Sequence, residues 1–326
     1  VAEMRLTKSY NFIKKDLKEV ESILEELVYS DHTVLHKASD QLLKAGGKRL
    51  RPLFVLLSSR FGEFNLDHVK KVASSLELIH MASLVHDDVI DDSDMRRGKP
   101  TVKASWDNQV AMLTGDYIFA KAIGQLSAIS EPRLHQILAD TMIESTIGEI
   151  EQIKDKYVIN QNLRTYLRRI KRKTALLISS SCQLGAIVTK TSPMVEESLF
   201  RYGYYIGMSY QIIDDILDFT GTEKDLGKPA GGDLLQGNIT LPVLYAMEDP
   251  TLKEKLAFAF QDTAKIDEKE VSSITKEIAK SSAITKSREL SNLYLKKAYE
   301  ALERLPDNDA KEALQYIANY IGQRKT

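Results

Sequence analysis

The sequence predicts an all-α fold built as one large domain over residues 1–326. Three observations carry that expectation. Apolar residues recur at helical spacing almost continuously, while the period-two alternation of strands is scarce. The eight prolines fall at or near predicted helix ends, for example Pro132, Pro193 and Pro306, and leave long stretches free of them. No Gly/Ser/Pro-rich linker, composition break or internal repeat divides the chain, which is long enough to bury a sizeable core.

Taken in order, residues 6–43 read as amphipathic helices with a break near residues 29–33. The turn Gly46-Gly47-Lys48-Arg49-Leu50-Arg51-Pro52 follows. It reads either as a plain helix stop or as a place where backbone N–H groups and three cationic side chains approach an anion. Proline is acceptable in the first turn of the apolar helix that it opens, residues 53–61.

A first acidic helix over residues 66–92 ends in Asp87-Asp88-Val89-Ile90-Asp91-Asp92. Leu76, His80, Ser83, Asp87 and Asp91 form one stripe, at steps of three and four. Carboxylates on such a stripe are costly to desolvate unless something cationic meets them. Residues 93–108 read as a loop carrying Arg96, Arg97, Lys99 and the sole tryptophan, Trp106.

Helices over 110–129 and 132–157 come next, and Glu144, Glu149 and Glu151 on the second read as a solvated face. The run from Arg168 to Lys173 holds five cations in six positions and is expected to face water for the most part. Lys173-Thr174 differs, because it sits where the run meets an apolar helix and is expected to point into a pocket mouth.

The second acidic helix begins near Pro193 and carries Asp214-Asp215-Ile216-Leu217-Asp218. Gly203, Gly207, Gln211, Asp214 and Asp218 share a stripe, and its two glycines allow either a cavity wall or close helix packing. Residues 220–237 form a loop with Lys224, Gly227 and Lys228. Beyond Pro242 the chain is Glu/Lys-rich amphipathic helix without clustered chemistry.

Composition narrows the function. A formal net charge of −1 argues against a nucleic acid or another large polyanion as partner. The cations are bunched locally instead, which suits a small anionic ligand. Cys182 is the only cysteine, so disulfide frameworks and thiolate zinc sites are excluded, and its apolar setting makes it a core residue. No stretch reaches the roughly 18–20 apolar residues of a membrane span. With no signal-peptide pattern either, a cytoplasmic location is expected.

Two carboxylate fans facing each other would hold a hard divalent cation, Mg²⁺ or Mn²⁺, together with a polyphosphate. Each offers carboxylates at i and i+4 on one helical face. Lys48, Arg49, Arg51, Arg96, Arg97, Lys173 and Lys228 suit phosphate recognition. Neither a Walker loop nor another Gly-rich nucleotide loop is present. The cations exceed what one diphosphate needs, which points to two diphosphate substrates, one held by metals and one by cations alone. The chemistry that follows is departure of a metal-bound diphosphate, with cations stabilising the charge that develops on it.

The segments GGKRLRP, DDVIDDSDMRRGKPT, RKTALL and YQIIDDILDFTGTEKDLGKP match, in order and spacing, the motifs of the trans-type isoprenyl diphosphate synthases. Over most of its length the chain resembles that family, and most closely the larger, catalytic chain of its two-component branch in Gram-positive bacteria. The resemblance implies a single helical bundle of the isoprenoid synthase type with a central apolar cavity. It implies that isopentenyl diphosphate is condensed with an allylic prenyl diphosphate, farnesyl diphosphate foremost, to a heptaprenyl (C35) product for menaquinone side chains.

It also assigns roles. Asp87, Asp91 and Asp214 bind Mg²⁺, supported by Asp88, Asp215 and Asp218. Arg96, Lys173 and Lys228 hold the allylic diphosphate, and Thr174 and Gln211 line the reacting centre. Lys48, Arg51, His80 and Arg97 hold isopentenyl diphosphate. Ala82 and Ser83, both small and one turn before Asp87, leave the growing tail a path along the helix and so govern product length. The implied partner is a small non-catalytic subunit in a heterodimer. A homodimer making another chain length is the alternative. Remoter readings are an HD-type metal phosphohydrolase built on His36 and His86-Asp87, a terpene cyclase, and a non-catalytic helical subunit.

Overall fold

The computed structural model describes residues 12–221, 230–263 and 266–324. Among them every regular element is helical except one two-stranded ribbon. The chain forms two compact units, each assembled from three separate segments.

The first unit comprises Val1–Leu138, Ser180–Phe200 and Arg304–Gln315. Its Lys14–Val28 helix buries Val20, Leu24 and Val28 at steps of four. The Leu50–Ser58 helix buries everything from Pro52 to Ser58, as expected of a helix apolar on all sides. The long Leu66–Ile90 helix starts at Asn65, whose side chain accepts from the backbone N–H groups of Asp67 and His68. It packs along the Asn108–Leu126 helix, which Asp107 caps through Val110 N–H at 2.7 Å.

The stretch 93–108 is more ordered than the loop expected from sequence. Met95–Arg96 pairs antiparallel with Lys99–Pro100, and a short Val102–Ser105 helix follows, capped by Thr101. Arg97 and Gly98 at the tip have φ of 54° and 73°. Two left-handed residues in a two-residue turn give the twist that a tight hairpin requires, and glycine supplies one of them without a Cβ clash.

The second unit comprises Ala139–Ser179, Arg201–Glu303 and Tyr316–Thr326. Its Leu163–Ile170 helix is capped by Asn162 and runs through a π turn, Lys171–Ala175, into the Leu176–Val188 helix. One apolar cluster gathers Tyr166, Ala175, Met208, Ile212, Ile216 and Leu241 around the Pro193–Thr220 helix. Another is formed by the later helices, among them Leu241–Ala246, Pro250–Ala259 and Glu268–Lys280. Gly207 resolves the groove question at its position. A Cβ there would stand 2.6 Å from the Cα of Ala175, so the glycine serves close helix packing.

Candidate active site

The first unit carries the first acidic motif on the last turn of the Leu66–Ile90 helix. Asp87 and Asp91 are half-buried, one helical turn apart, while Asp88 is only 3% exposed. Asp88 turns away from them and takes Arg96 Nε at 2.8 Å and Nη2 at 2.7 Å on one carboxylate oxygen. Burial pushes the Asp88 carboxyl up, and Arg96 offsets this in part. Asp88 therefore aims the hairpin's first arginine.

The hairpin tip is fixed to the Gly-Gly turn. Arg97 donates to the carbonyl of Gly46, and Lys99 Nζ donates to that of Lys44 at 2.7 Å. His80, on the Leu66–Ile90 helix, feels the charge of the arginines of this corner. Loss of solvent, then Arg51, Arg97, Arg96 and Arg49 in that order, hold its imidazole well below its ordinary range. Arg51, Arg97 and Arg96 thus lie near enough to His80 for their charges to disfavour its protonation. Lys48 is exposed.

Arg49 departs from the expected trio of phosphate-facing cations. Its backbone is left-handed (φ 49°), and its guanidinium turns inward, with Nε 2.6 Å from Glu21 and Nη1 3.0 Å from Glu77. Burial opposes the charge, and the two carboxylates overcome it, leaving the guanidinium more basic than usual. Arg49 is a structural rivet, because its charge is already matched inside the protein.

The second unit carries the second motif on the Pro193–Thr220 helix. Asp214 is half-buried and meets Arg324 Nη1 at 2.7 Å, and that guanidinium lies over the Tyr210 ring at 4.9 Å. Asp215 is buried. It accepts from Tyr166 Oη at 2.6 Å on one oxygen and from Gln211 Nε2 at 2.8 Å on the other. Burial chiefly, then Asp233, raises its carboxyl to about 7 against the pull of Tyr166 and Gln211. Asp218 is buried too, and its carboxylate and carbonyl receive the N–H groups of Asp233 and Gly231. It anchors the chain where residues 230–233 return to the helix.

Lys173 and Thr174 lie within the π turn. Thr174 Oγ1 donates to Gln211 Oε1 at 2.6 Å, and Lys173 Nζ lies 3.1 Å from both Glu149 and Gln152. Two expectations are corrected here. Glu144, Glu149 and Glu151 are not merely solvated, since Glu144 and Glu151 pair with Arg172 and Glu149 with Lys173. Nor does the cation run simply face water. Arg169 is 6% exposed and donates to Ile239 O and Gln161. Sequence adjacency concealed both facts, because every partner but Gln161 is more than 20 residues away along the chain.

Ala82 is buried, and half-buried Ser83 spends its hydroxyl on the carbonyl of His80 at 2.8 Å. Lys224 and Lys228 lie outside the described residues. His86 does not form an HD site. Its Nε2 stands 3.2 Å from Met112 O and 3.3 Å from Asp116, which ties the Leu66–Ile90 helix to its neighbour. Sequence reasoning missed Glu77, Tyr166 and Arg324. Only Glu77 left a signal, a carboxylate inside the apolar run 76–79.

The donor chemistry fits a hard divalent cation. Asp87 and Asp91 are half-buried carboxylates at i and i+4, oxygen donors of the kind a hard cation takes. Among the described residues no three His, Cys, Asp or Glu side chains are gathered into a cage of their own. A carboxylate pair of this kind suits a hard cation that completes its shell with water and phosphate oxygens.

Comparisons with known proteins agree with this arrangement. A family model described as polyprenyl synthetase matches residues 32–278. Heptaprenyl diphosphate synthase component 2 of Bacillus subtilis is 54% identical over 325 residues, covering 100% of this chain and 92% of that protein. Its namesake in Geobacillus stearothermophilus is 54% identical over 321 residues, covering 98% and 99%. The crystal structure of heptaprenyl diphosphate synthase from Staphylococcus aureus superposes with a TM-score of 0.93 at 44% identity, covering 96% and 99%. A polyprenyl synthase from Caulobacter crescentus, complexed with calcium and isoprenyl diphosphate, gives 0.92 at 32% identity, covering 98% and 97%.

Proposed function

The chain belongs to the polyprenyl synthetase family and is a prenyltransferase, and from that premise we propose that it condenses isopentenyl diphosphate with an allylic prenyl diphosphate to give heptaprenyl diphosphate. The observation that carries the reading is the arginine hairpin after Asp87 and Asp91: Asp88 holds Arg96 at 2.8 and 2.7 Å, and Arg97 donates to the Gly-Gly turn. It sets cations suited to a diphosphate held without metal on the segment that follows carboxylates suited to a metal-bound one.

Arg51, Arg97, His80 and exposed Lys48 take isopentenyl diphosphate. His80, being neutral, orients an oxygen through one N–H without adding charge. Arg96, aimed by Asp88, takes the allylic diphosphate with Lys173 and Lys228. Asp87, Asp91 and Asp214 would hold Mg²⁺, with Mn²⁺ as a substitute, and the ion would supply Lewis-acid charge to a departing diphosphate. The allylic C–O bond breaks, and its electron pair leaves with the diphosphate. The isopentenyl double bond attacks the allylic carbon, and a proton lost to the released diphosphate restores an allylic product one C5 unit longer. Thr174 and Gln211 face the reacting carbon.

Relatives bearing the words "component 2" support a second, small subunit as partner. A homodimer is the competing assembly. No helix among the described residues is long and apolar enough to cross a membrane. A cytoplasmic setting and a role in menaquinone synthesis are part of the same proposal.

The test incubates the chain with farnesyl and isopentenyl diphosphates, with and without a candidate small subunit, and sizes the products. EDTA is expected to abolish turnover. Asp87→Ala or Asp214→Ala is expected to lower kcat by at least about 10²-fold, the scale of losing one preorganised electrostatic partner. Full activity in excess EDTA, or near-normal turnover in either variant, would overturn the assignment.

A further inference from the structure

We propose that Gln41 and Lys99 are positioning residues for the isopentenyl diphosphate site, acting through Arg97. They dock the Met95–Pro100 hairpin on the C-terminal end of the Thr33–Lys44 helix. The inference rests on the function proposed above and adds to it two residues and a division of labour between the hairpin's arginines.

A helix ends in carbonyls that no later turn satisfies, and its partial negative charge attracts cations. Three side chains meet that need where the Thr33–Lys44 helix runs out into the Gly-Gly turn. Lys99 Nζ donates to Lys44 O at 2.7 Å, Arg97 to Gly46 O, and Arg49 Nη2 to Leu43 O at 3.3 Å. Arg97 comes in close, because a Cβ on Gly47 would stand 2.8 Å from its Nη1 and push the guanidinium aside. Two of the three donors belong to the hairpin, so the helix end is its dock.

Gln41 completes the dock from the last turn of the helix. Its Nε2 stands 2.8 Å from Ser105 Oγ, 3.1 Å from Pro100 O and 3.3 Å from Thr101 O. Two of these are backbone carbonyls, which only accept, so the amide must turn its NH₂ towards them. The contacts fall where the second strand passes into the Val102–Ser105 helix. Gln41 thus grips the base of the hairpin, while Lys99 and Arg97 hold its tip. With its NH₂ committed and no charge of its own, Gln41 acts on a diphosphate only by way of the hairpin.

The two arginines are anchored differently. Arg96 is held by the Asp88 carboxylate, on another helix, at 2.8 and 2.7 Å. Arg97 belongs to the dock. Loosening the dock therefore frees Arg97 and spares Arg96, and under the function proposed above these serve different substrates. A role in stability alone would not separate the two substrates, and this is what the experiment reads.

Steady-state kinetics, and amide hydrogen exchange over residues 95–105, are measured for Gln41→Ala, Gln41→Glu and Lys99→Met in whichever assembly of the wild-type chain turns over. Gln41 is half-buried and Lys99 exposed, so all three variants are expected to fold. Exchange at the hairpin should quicken in each. KM for isopentenyl diphosphate should rise about 3- to 10-fold, the factor that one hydrogen bond makes in an affinity. KM for the allylic diphosphate and kcat should stay within about twofold, as when only ground-state binding is lost. Gln41→Glu keeps the shape and loses the donor, so it should behave as Gln41→Ala does. In an Arg97→Ala background, Gln41→Ala should change KM for isopentenyl diphosphate by less than about twofold, because the guanidinium it acts through is gone. Equal changes in both KM values, a Gln41→Glu like the wild type, or a full Gln41 effect without Arg97 would overturn the proposal. Unaltered exchange would overturn the dock itself. A wild-type chain that makes no prenyl product would refute the proposed function, and the exchange result would still judge the dock.

Discussion

Arg49 should be worth more to the fold than any other cation of the Gly-Gly-Lys-Arg turn. Its guanidinium joins Glu21, which is 40% exposed, to Glu77, which is 4% exposed. Arg49→Ala returns Glu21 to water at a cost under about 1 kcal/mol, as for exposed pairs generally. Glu77 has no such escape. Its carboxylate loses its cation while buried, and breaking a buried pair from one side costs about 3–5 kcal/mol. The left-handed backbone disfavours alanine as much as arginine, so it cancels in that comparison. Glycine lacks the penalty, and Arg49→Gly should come out about 1 kcal/mol more stable than Arg49→Ala. Urea unfolding followed by circular dichroism measures both differences. An Arg49→Ala protein within about 1 kcal/mol of wild type, or one that folds normally but raises only the KM for isopentenyl diphosphate, would refute the rivet.

Ala82→Phe or Ser83→Phe, one helical turn of about 5.4 Å before Asp87, should stop growth at farnesyl- to geranylgeranyl-sized products while sparing the first condensation; unchanged long products from a folded variant would send the tail by another route. His80 is disfavoured as a cation in the fold, so the unfolded chain takes up a proton below its ordinary 6.5 that the native protein refuses. The stability present above pH 6.5 is lost as pH falls below it, and His80→Gln should flatten that slope in urea titrations run across the window; an unchanged slope would show that His80 is not the source. Cys182 is fully buried, and burial raises its thiol to about 12 despite a hydrogen bond with Ser58. Iodoacetamide should label it only once the protein unfolds, and prompt labelling of the native chain would contradict that burial.

The all-helical fold was legible because helical periodicity is written along each segment, and a stripe such as 76–80–83–87–91 needs no partner to be seen. The Asp motifs and most cations were legible for the same local reason. What escaped was set by distance. Glu77 and Glu21 meet Arg49 from 28 residues on either side, and Arg324 reaches Asp214 across 110. The hairpin at Met95–Pro100 escaped because strands of two residues are too short to show alternation. Tyr166 looked like any apolar helix position, since nothing local tells a buried phenol that its hydroxyl has a carboxylate to meet.

The π turn bears on how this segment tolerates changes in length. Leu176 N–H bonds to Lys171 O, five residues back, so the helix holds one residue more than a regular ladder would need. Removing one residue between Lys171 and Ala175 would let the ladder close as ordinary α-helix. The Leu163–Ile170 stretch and the Leu176–Val188 stretch would each keep their packing. Elsewhere on a helix a deletion rotates everything beyond it by about 100°. A one-residue deletion, normally ruinous inside a buried helix, is absorbed here by the backbone. The aim of Lys173 and Thr174 has no such slack, so a shortened chain could fold well and still have lost its chemistry.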